Sequence, residues 1–356
     1  MQGVRYPLPD IRNLRGPNMQ PNSSYNHPDQ PVRHSYPLAI SSAGFSESIS
    51  LLIKTMPYVF IRFGILVAVS IGTILWFGAT FGGAGLLGHT LHPWIGYAWL
   101  FAGLGIYGWI WATVVRYGLY LIKCGHIAVL TELITTGAVD NGKMRMFDYG
   151  KKIVTERFSQ VNTLFALDVL IDGIVGAFNA TLDFVTKFVP IPGLKALANL
   201  ASVILKAATT YIDETIFSYN LARGEDNAWR GGRDGLLYYC QNSTEILKTA
   251  TICVIADYIL TAIAWVLFLA PAAILAMFLP FVAGWTALVA VLFAINFRQA
   301  VLRPLFLIMI MIKFHSCVKG QAINEEWDER LRALSPKFNQ LTAKISAGQG
   351  TISDDA

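Results

Sequence analysis

The sequence predicts an all-α fold, a polytopic helical membrane bundle of about six spans behind a disordered N-terminal tail. Three observations carry this expectation. Of the 356 residues, 54% are hydrophobic and only 14% are charged, against about 25% charged in an ordinary soluble domain. No Lys, Arg, Asp or Glu lies between Phe63 and Val115, and none between Tyr258 and Phe297. A helix needs about 20 apolar residues to cross a bilayer, so the first run is long enough for two crossings. Two soluble domains sharing this length would lack the charges to cover their surfaces. The same arithmetic excludes a soluble enzyme, a disordered chain and a secreted disulfide scaffold.

Residues 1–44 are rich in Pro, Asn, Ser and Arg and have no apolar period, which reads as a disordered tail. Ser46 to Thr55 is an amphipathic lead-in, so the tail domain is drawn at 1–50. Pro57 suits a helix start, and the first span runs over about 58–80. Phe81 to Pro93 reads as a turn containing Gly82, Gly83, Gly85, Gly88, His89 and His92. The second span covers about 94–115, with Trp94, Tyr97 and Trp99 at one end and Trp109, Trp111 and Tyr117 at the other, the aromatic belts of two interfaces.

The region 116–157 holds seven basic residues and the 81–93 turn none. The positive-inside rule therefore places both termini in the cytoplasm and that turn outside. Apolar segments over 161–187 and 194–219 flank the helix-breaking Pro190-Ile191-Pro192-Gly193. They read either as two full spans or as a shorter re-entrant hairpin. Two further spans follow over about 249–270, ended by Pro271, and 272–297, kinked at Pro280. The membrane domain is thus drawn at 51–319, with a charged cytoplasmic tail at 320–356 that is helical from Glu325 to Lys344. An inner or plasma membrane is expected.

Two GxGxxG strings, Gly83 to Gly88 and Gly103 to Gly108, lack the strand before and the acidic residue after that a dinucleotide site needs. They read as close helix packing through small residues. His89 and His92 make only a weak metal pair, and Cys124, Cys240, Cys253 and Cys317 are scattered without a CxxC, so no metal or other cofactor is expected. Ionisable residues inside apolar segments carry more information, because a lone carboxylate in hydrocarbon must face the bundle interior, pair with a base or line a wet path. Asp168 and Asp172 share one helical face, and Asp257 lies inside the 249–270 span. They are the candidate residues of a cation or proton path. The competing reading has the acids of 161–187 solvated at an interface or paired with Lys187, Lys195 and Lys206.

Tyr211 to Phe217 leads through Gly231-Gly232-Arg233-Asp234-Gly235-Leu236 and Gln241-Asn242 to a span, with Tyr149-Gly150-Lys151 and Arg157-Phe158 upstream. In these features residues 145–335 resemble the C-terminal half of the choline transporter-like family. The family's members are longer, with about ten spans and a large external loop after the first, and this chain has no such loop. The resemblance implies transport of choline or a related small organic cation. The expected function is therefore a carrier or channel-like permease for such a solute, without an ATPase or redox motif to power it, and not an enzyme. The alternative is a non-transporting membrane scaffold or accessory subunit. Expected partners are the lipid bilayer, the cationic solute, and membrane proteins or further copies of the chain, and not nucleic acid. An inverted internal repeat, which would favour a carrier, is not evident in the sequence.

Overall fold

The computed structural model describes residues 36–42, 44–156, 170–171, 173–177, 207–208, 211–224, 227–279 and 284–353. Helices account for nearly all of them, and no strand occurs among the described residues. Helix α1 spans Phe45–Lys54. After the single residue Thr55, α2 runs over Met56–Thr90, α3 over Pro93–Ile110, a π-helical segment over Trp111–Val115 and α4 over Arg116–Thr136. Helix α5 covers Met146–Glu156, α6 Ile212–Arg223 and α7 Ala228–Gln241. Then come α8 (Ser243–Phe278), α9 (Thr286–Phe297), a second π segment (Arg298–Leu302), α10 (Arg303–Val318), α11 (Glu325–Leu334) and α12 (Pro336–Ser353).

Among the described residues, four helices are long and apolar enough to cross a membrane: Met56–Thr90, Pro93–Thr136, Ser243–Phe278 and Thr286–Val318. They replace the expected boundaries in three places. The glycine-rich stretch from Phe81 is helical up to Thr90, so the turn shrinks to Leu91 and His92, with the His92 imidazole accepting the Trp94 N–H at 3.3 Å. Glycine lowers helix propensity by only about 1 kcal/mol, and an apolar segment gains more by keeping its backbone groups paired. The second span does not stop at Val115 but continues through the π segment to Thr136. Pro271 does not end the third. It lies inside α8, which reaches Phe278, and α9 begins at Thr286, so the third span does not end at Pro271. One lost N–H costs less there than a chain end in mid-helix.

Of the other two expected spans, 161–187 lies outside the described residues apart from its middle. Only the end of 194–219 is described, where Ile212–Arg223 is a separate helix of 12 residues, too short to cross a bilayer. Tyr36 to Ile40, from the expected tail, run beside the end of α4, the Ala39 and Ile40 N–H groups donating to Ile134 O at 3.0 and 3.1 Å.

The described residues form two long hairpins joined to one packed helical domain. Helices α2 and α3 form the first hairpin and α8 and α9 the second. Their starts and returns are buried in the domain: Leu51, Leu52, Tyr58 and Val59 at the first entry, Cys124 to Ile134 at its return, Ile246 to Val254 at the second entry, Leu305 to Val318 at its return. Helices α6 and α7 complete this core, covered by α11 and α12. Beyond it the first hairpin exposes its apolar side chains, with Phe60, Leu75, Phe101 and Trp109 each about two-thirds exposed or more.

The two hairpins repeat one plan in the same orientation. Thr55 and Asn242 separate an amphipathic helix from a long apolar one. From Thr55 to Asn242, from Trp111 to Arg298 at the π segments, and from Arg116 to Arg303 at the following helices, the spacing is the same 187 residues. Ser70 of α2 and Asn296 of α9 join the hairpins, Asn296 Nδ2 donating to Ser70 Oγ at 3.1 Å.

Of the glycines in the two GxGxxG strings, Gly83, Gly88 and Gly103 lie in the α2–α3 contact, while Gly85, Gly105 and Gly108 face open space. A Cβ on Gly96 would stand 2.5 Å from Ala84 O and 2.9 Å from Gly88 Cα, both backbone atoms, and one on Gly103 would stand 2.6 Å from Thr80 Cγ2. Trp76 Nε1 donates to Gly103 O at 3.0 Å across the same face. Gly96→Val is expected to cost about 1–3 kcal/mol, the overpacking range, and to lower the melting temperature of the purified protein. Gly105→Ala, which meets nothing within 4 Å, should leave it unchanged.

Candidate functional site

Asp257 lies on the last turn of α8 before the charge-free run, and Arg298 is the first charge after it. The structure brings these two ends together. Arg298 Nη2 lies 2.6 Å and Nε 2.8 Å from Asp257 Oδ2, a two-pronged pair with the Asp257 side chain buried. The guanidinium also sits 4.8 Å from the centre of the Tyr258 ring. Asp257 Oδ1 is buried with no hydrogen-bond partner among the described residues. From Tyr258 to Phe278 the helix continues for 21 residues, a rise of roughly 31 Å, close to the roughly 30 Å of a hydrocarbon core. The pair therefore marks an edge of the apolar layer, not its centre.

Arg298 is also the first residue of the second π segment. Pro304, six residues on, offers no N–H to the preceding turn, which favours a local departure from α-helical pairing there. Arg298 faces α8 at this level, on Asp257. Sequence reasoning picked out Asp257 and missed its partner. The signal was present, because the only acid at one end of the charge-free run faces the first base at the other. Asp168 and Asp172 lie outside the described residues, so Asp257 alone of the three candidate path residues can be placed.

A second charged constellation grows from the Gly231–Leu236 string. A Cβ on Gly231 would meet Asn220 Oδ1 at 2.5 Å and one on Gly235 would meet Ile216 Cγ2 at 2.9 Å, so both glycines let α7 lie against α6. This brings Asp234, almost fully buried, onto Arg223 of α6 in a close ion pair. Next to it Arg233 Nε donates to Asp328 Oδ1 of α11 at 2.8 Å, and Arg332 Nε reaches the other oxygen of Asp328 at 2.6 Å. Asn242 and Gln321 exchange side-chain amide bonds at 2.9 and 3.1 Å, fixing the break between α7 and α8 against the chain after α10. Gly231, Gly235, Arg233, Asp234 and Asn242 thus take part in packing and helix docking.

His315 of α10 is fully buried in a chain of hydrogen bonds: Tyr36 Oη at 2.6 Å from Nδ1, Ser218 Oγ at 2.8 Å from Nε2, and Thr131 Oγ1 at 2.7 Å from Ser218. His126 stacks flat on Tyr58 at 5.1 Å. Among the described residues no group of three or more His, Cys, Asp or Glu is placed to hold a metal ion, and the four cysteines are free, three of them buried. The chain matches no protein-family profile, and no curated protein and no solved structure matches it.

Proposed function

We propose that the chain is an integral membrane scaffold or accessory subunit, in which two membrane hairpins carry a packed helical domain on the cytoplasmic side. The observation that carries this reading is the Asp257–Arg298 pair. An acid on a cation path must offer its charge to the solute, whereas this one is neutralised by a guanidinium at the edge of the apolar layer. The orientation follows from the basic residues, which gather at the domain end of the hairpins, while neither 91–92, between α2 and α3, nor 279–285, between α8 and α9, has any. The exposed apolar faces of α2 and α3 suit lipid and the helices of a membrane partner or second copy.

A carrier for a small organic cation such as choline is the second reading, favoured by the partnerless Asp257 Oδ1 and by the same-way repeat, a plan also found in some transporters. Flux into proteoliposomes separates the two. The scaffold reading expects no saturable choline uptake by the purified protein. Saturable uptake that Asp257→Asn abolishes at unchanged folded yield would establish the carrier instead.

A further inference from the structure

The two hairpins are not held alike where they meet the domain. Each return passes through a π segment, Trp111–Val115 in the first and Arg298–Leu302 in the second. The second is gripped from both sides. Helices α2 and α8 pack on it, Asp257 of α8 takes the Arg298 guanidinium, and none of its five residues is exposed. Among the described residues the first packs closely only on α3 and α4, its own continuations. Trp111, Ala112, Thr113 and Val114 are exposed and Val115 is half-buried.

The 187-residue spacing locates the difference. It relates Asp257 to Ser70 and Arg298 to Trp111, so a hydroxyl and an indole stand where the second hairpin has its ion pair. Ser70 bonds Asn296 of the other hairpin instead. In the first π segment Thr113 Oγ1 donates to Trp109 O at 2.6 Å, a side-chain bond to the carbonyl four residues back that competes with the helix ladder and often bends it. The outgoing helices differ in the same sense. Gly64 and Gly72 flank Ser70 in α2, each with open space where a Cβ would stand, and the spacing relates them to Thr251 and Ile259 of α8. Glycine leaves a helix backbone freer than any residue with a Cβ.

We infer that the first hairpin swings as a body against the second. Each of its legs carries a hinge, Trp111–Val115 in one and Gly64 to Gly72 in the other, and the Ser70–Asn296 bond is the pivot. A π turn in mid-helix often marks a hinge, and a segment with few packed neighbours deforms at low cost. Beyond the hinges the hairpin is stiff, because α3 lies on α2 through Gly96 and Gly103 and through the Trp76–Gly103 bond. The second hairpin is fixed to the domain by the packing on its π segment and by the ion pair. The swing changes the distance between Leu91 and Leu279 and leaves the domain as it is. It goes beyond the choice between scaffold and carrier and holds for either.

The test uses the full chain in lipid nanodiscs. Spin labels at Leu91 and Leu279 in a cysteine-free background report the distance between the hairpin ends by double electron–electron resonance. The parent chain should give a broad or two-peaked distribution. Gly64→Ala with Gly72→Ala, whose added methyls meet no neighbouring atom within 4 Å, should narrow it about twofold by stiffening one leg. Hydrogen exchange followed by mass spectrometry needs no label and carries the test if the labelled chain does not fold. Amides of 111–115 should exchange about tenfold or more faster than those of 298–302. Asp257→Asn with Arg298→Gln should bring the second rate toward the first. A distribution as narrow in the parent chain as in the alanine variant would overturn the hinge, and so would equal exchange in the two π segments. Exchange at 298–302 that the double variant leaves unmoved would overturn the ion pair as what fixes the second hairpin.

Discussion

Asp257→Ala should lower the stability of the folded protein by about 3–5 kcal/mol, the cost of leaving one member of a buried ion pair without its partner. Arg298 would then sit at the edge of the apolar layer with its charge uncompensated, held there by the Tyr258 ring. Arg298→Gln should cost a similar amount for the converse reason, since Asp257 has one oxygen already without a partner. The double variant Asp257→Asn with Arg298→Gln should regain part of the loss, because no bare charge remains. Unfolding in detergent followed by circular dichroism measures all three. Two independent, additive losses would show that the pair is not the unit described here.

The second large effect is expected at Asp234. Its carboxylate joins Arg223 of α6 to α7 and lies beside Arg233, which carries the link on to Asp328 of α11. Asp234→Ala takes this carboxylate from Arg223, whose side chain is only 10% exposed, so a loss of about 3–5 kcal/mol is again expected. Asp328→Ala should cost less, because its partner Arg332 is half-exposed and can turn to water. Melting temperatures of the two variants, compared in one detergent, give the ranking. Asp328→Ala as damaging as Asp234→Ala would mean that the α11 contact, not the α6–α7 joint, holds the domain.

Much of this was legible in the residues. The two charge-free runs located both hairpins, the amphipathic Ser46–Thr55 became α1, and half of the GxGxxG glycines, Gly83, Gly88 and Gly103, lie at the contact of α2 with α3. Other features were hidden for physical reasons. Pro271 and the glycines from Gly82 to Gly88 are breakers in water, but in a long apolar helix the need to pair backbone groups outweighs their local preference. The repeat escaped notice because it is carried by helix lengths and breaks; at the 187-residue spacing few residues agree, among them Pro93 with Pro280 and Arg116 with Arg303. The Asp257–Arg298 pair required knowing that α8 and α9 pack as a hairpin and that Arg298 meets Asp257 there. Local spacing cannot reveal that.

The most direct test of the architecture is the sidedness of the two turns. In a cysteine-free background, single cysteines at Leu91, Leu279 and Lys344 can be labelled in intact cells with a membrane-impermeant maleimide. Two same-way hairpins on a cytoplasmic domain require Leu91 and Leu279 both to react from outside, and Lys344 only after the membrane is opened. Labelling of one turn without the other, or of Lys344 in intact cells, would contradict that architecture.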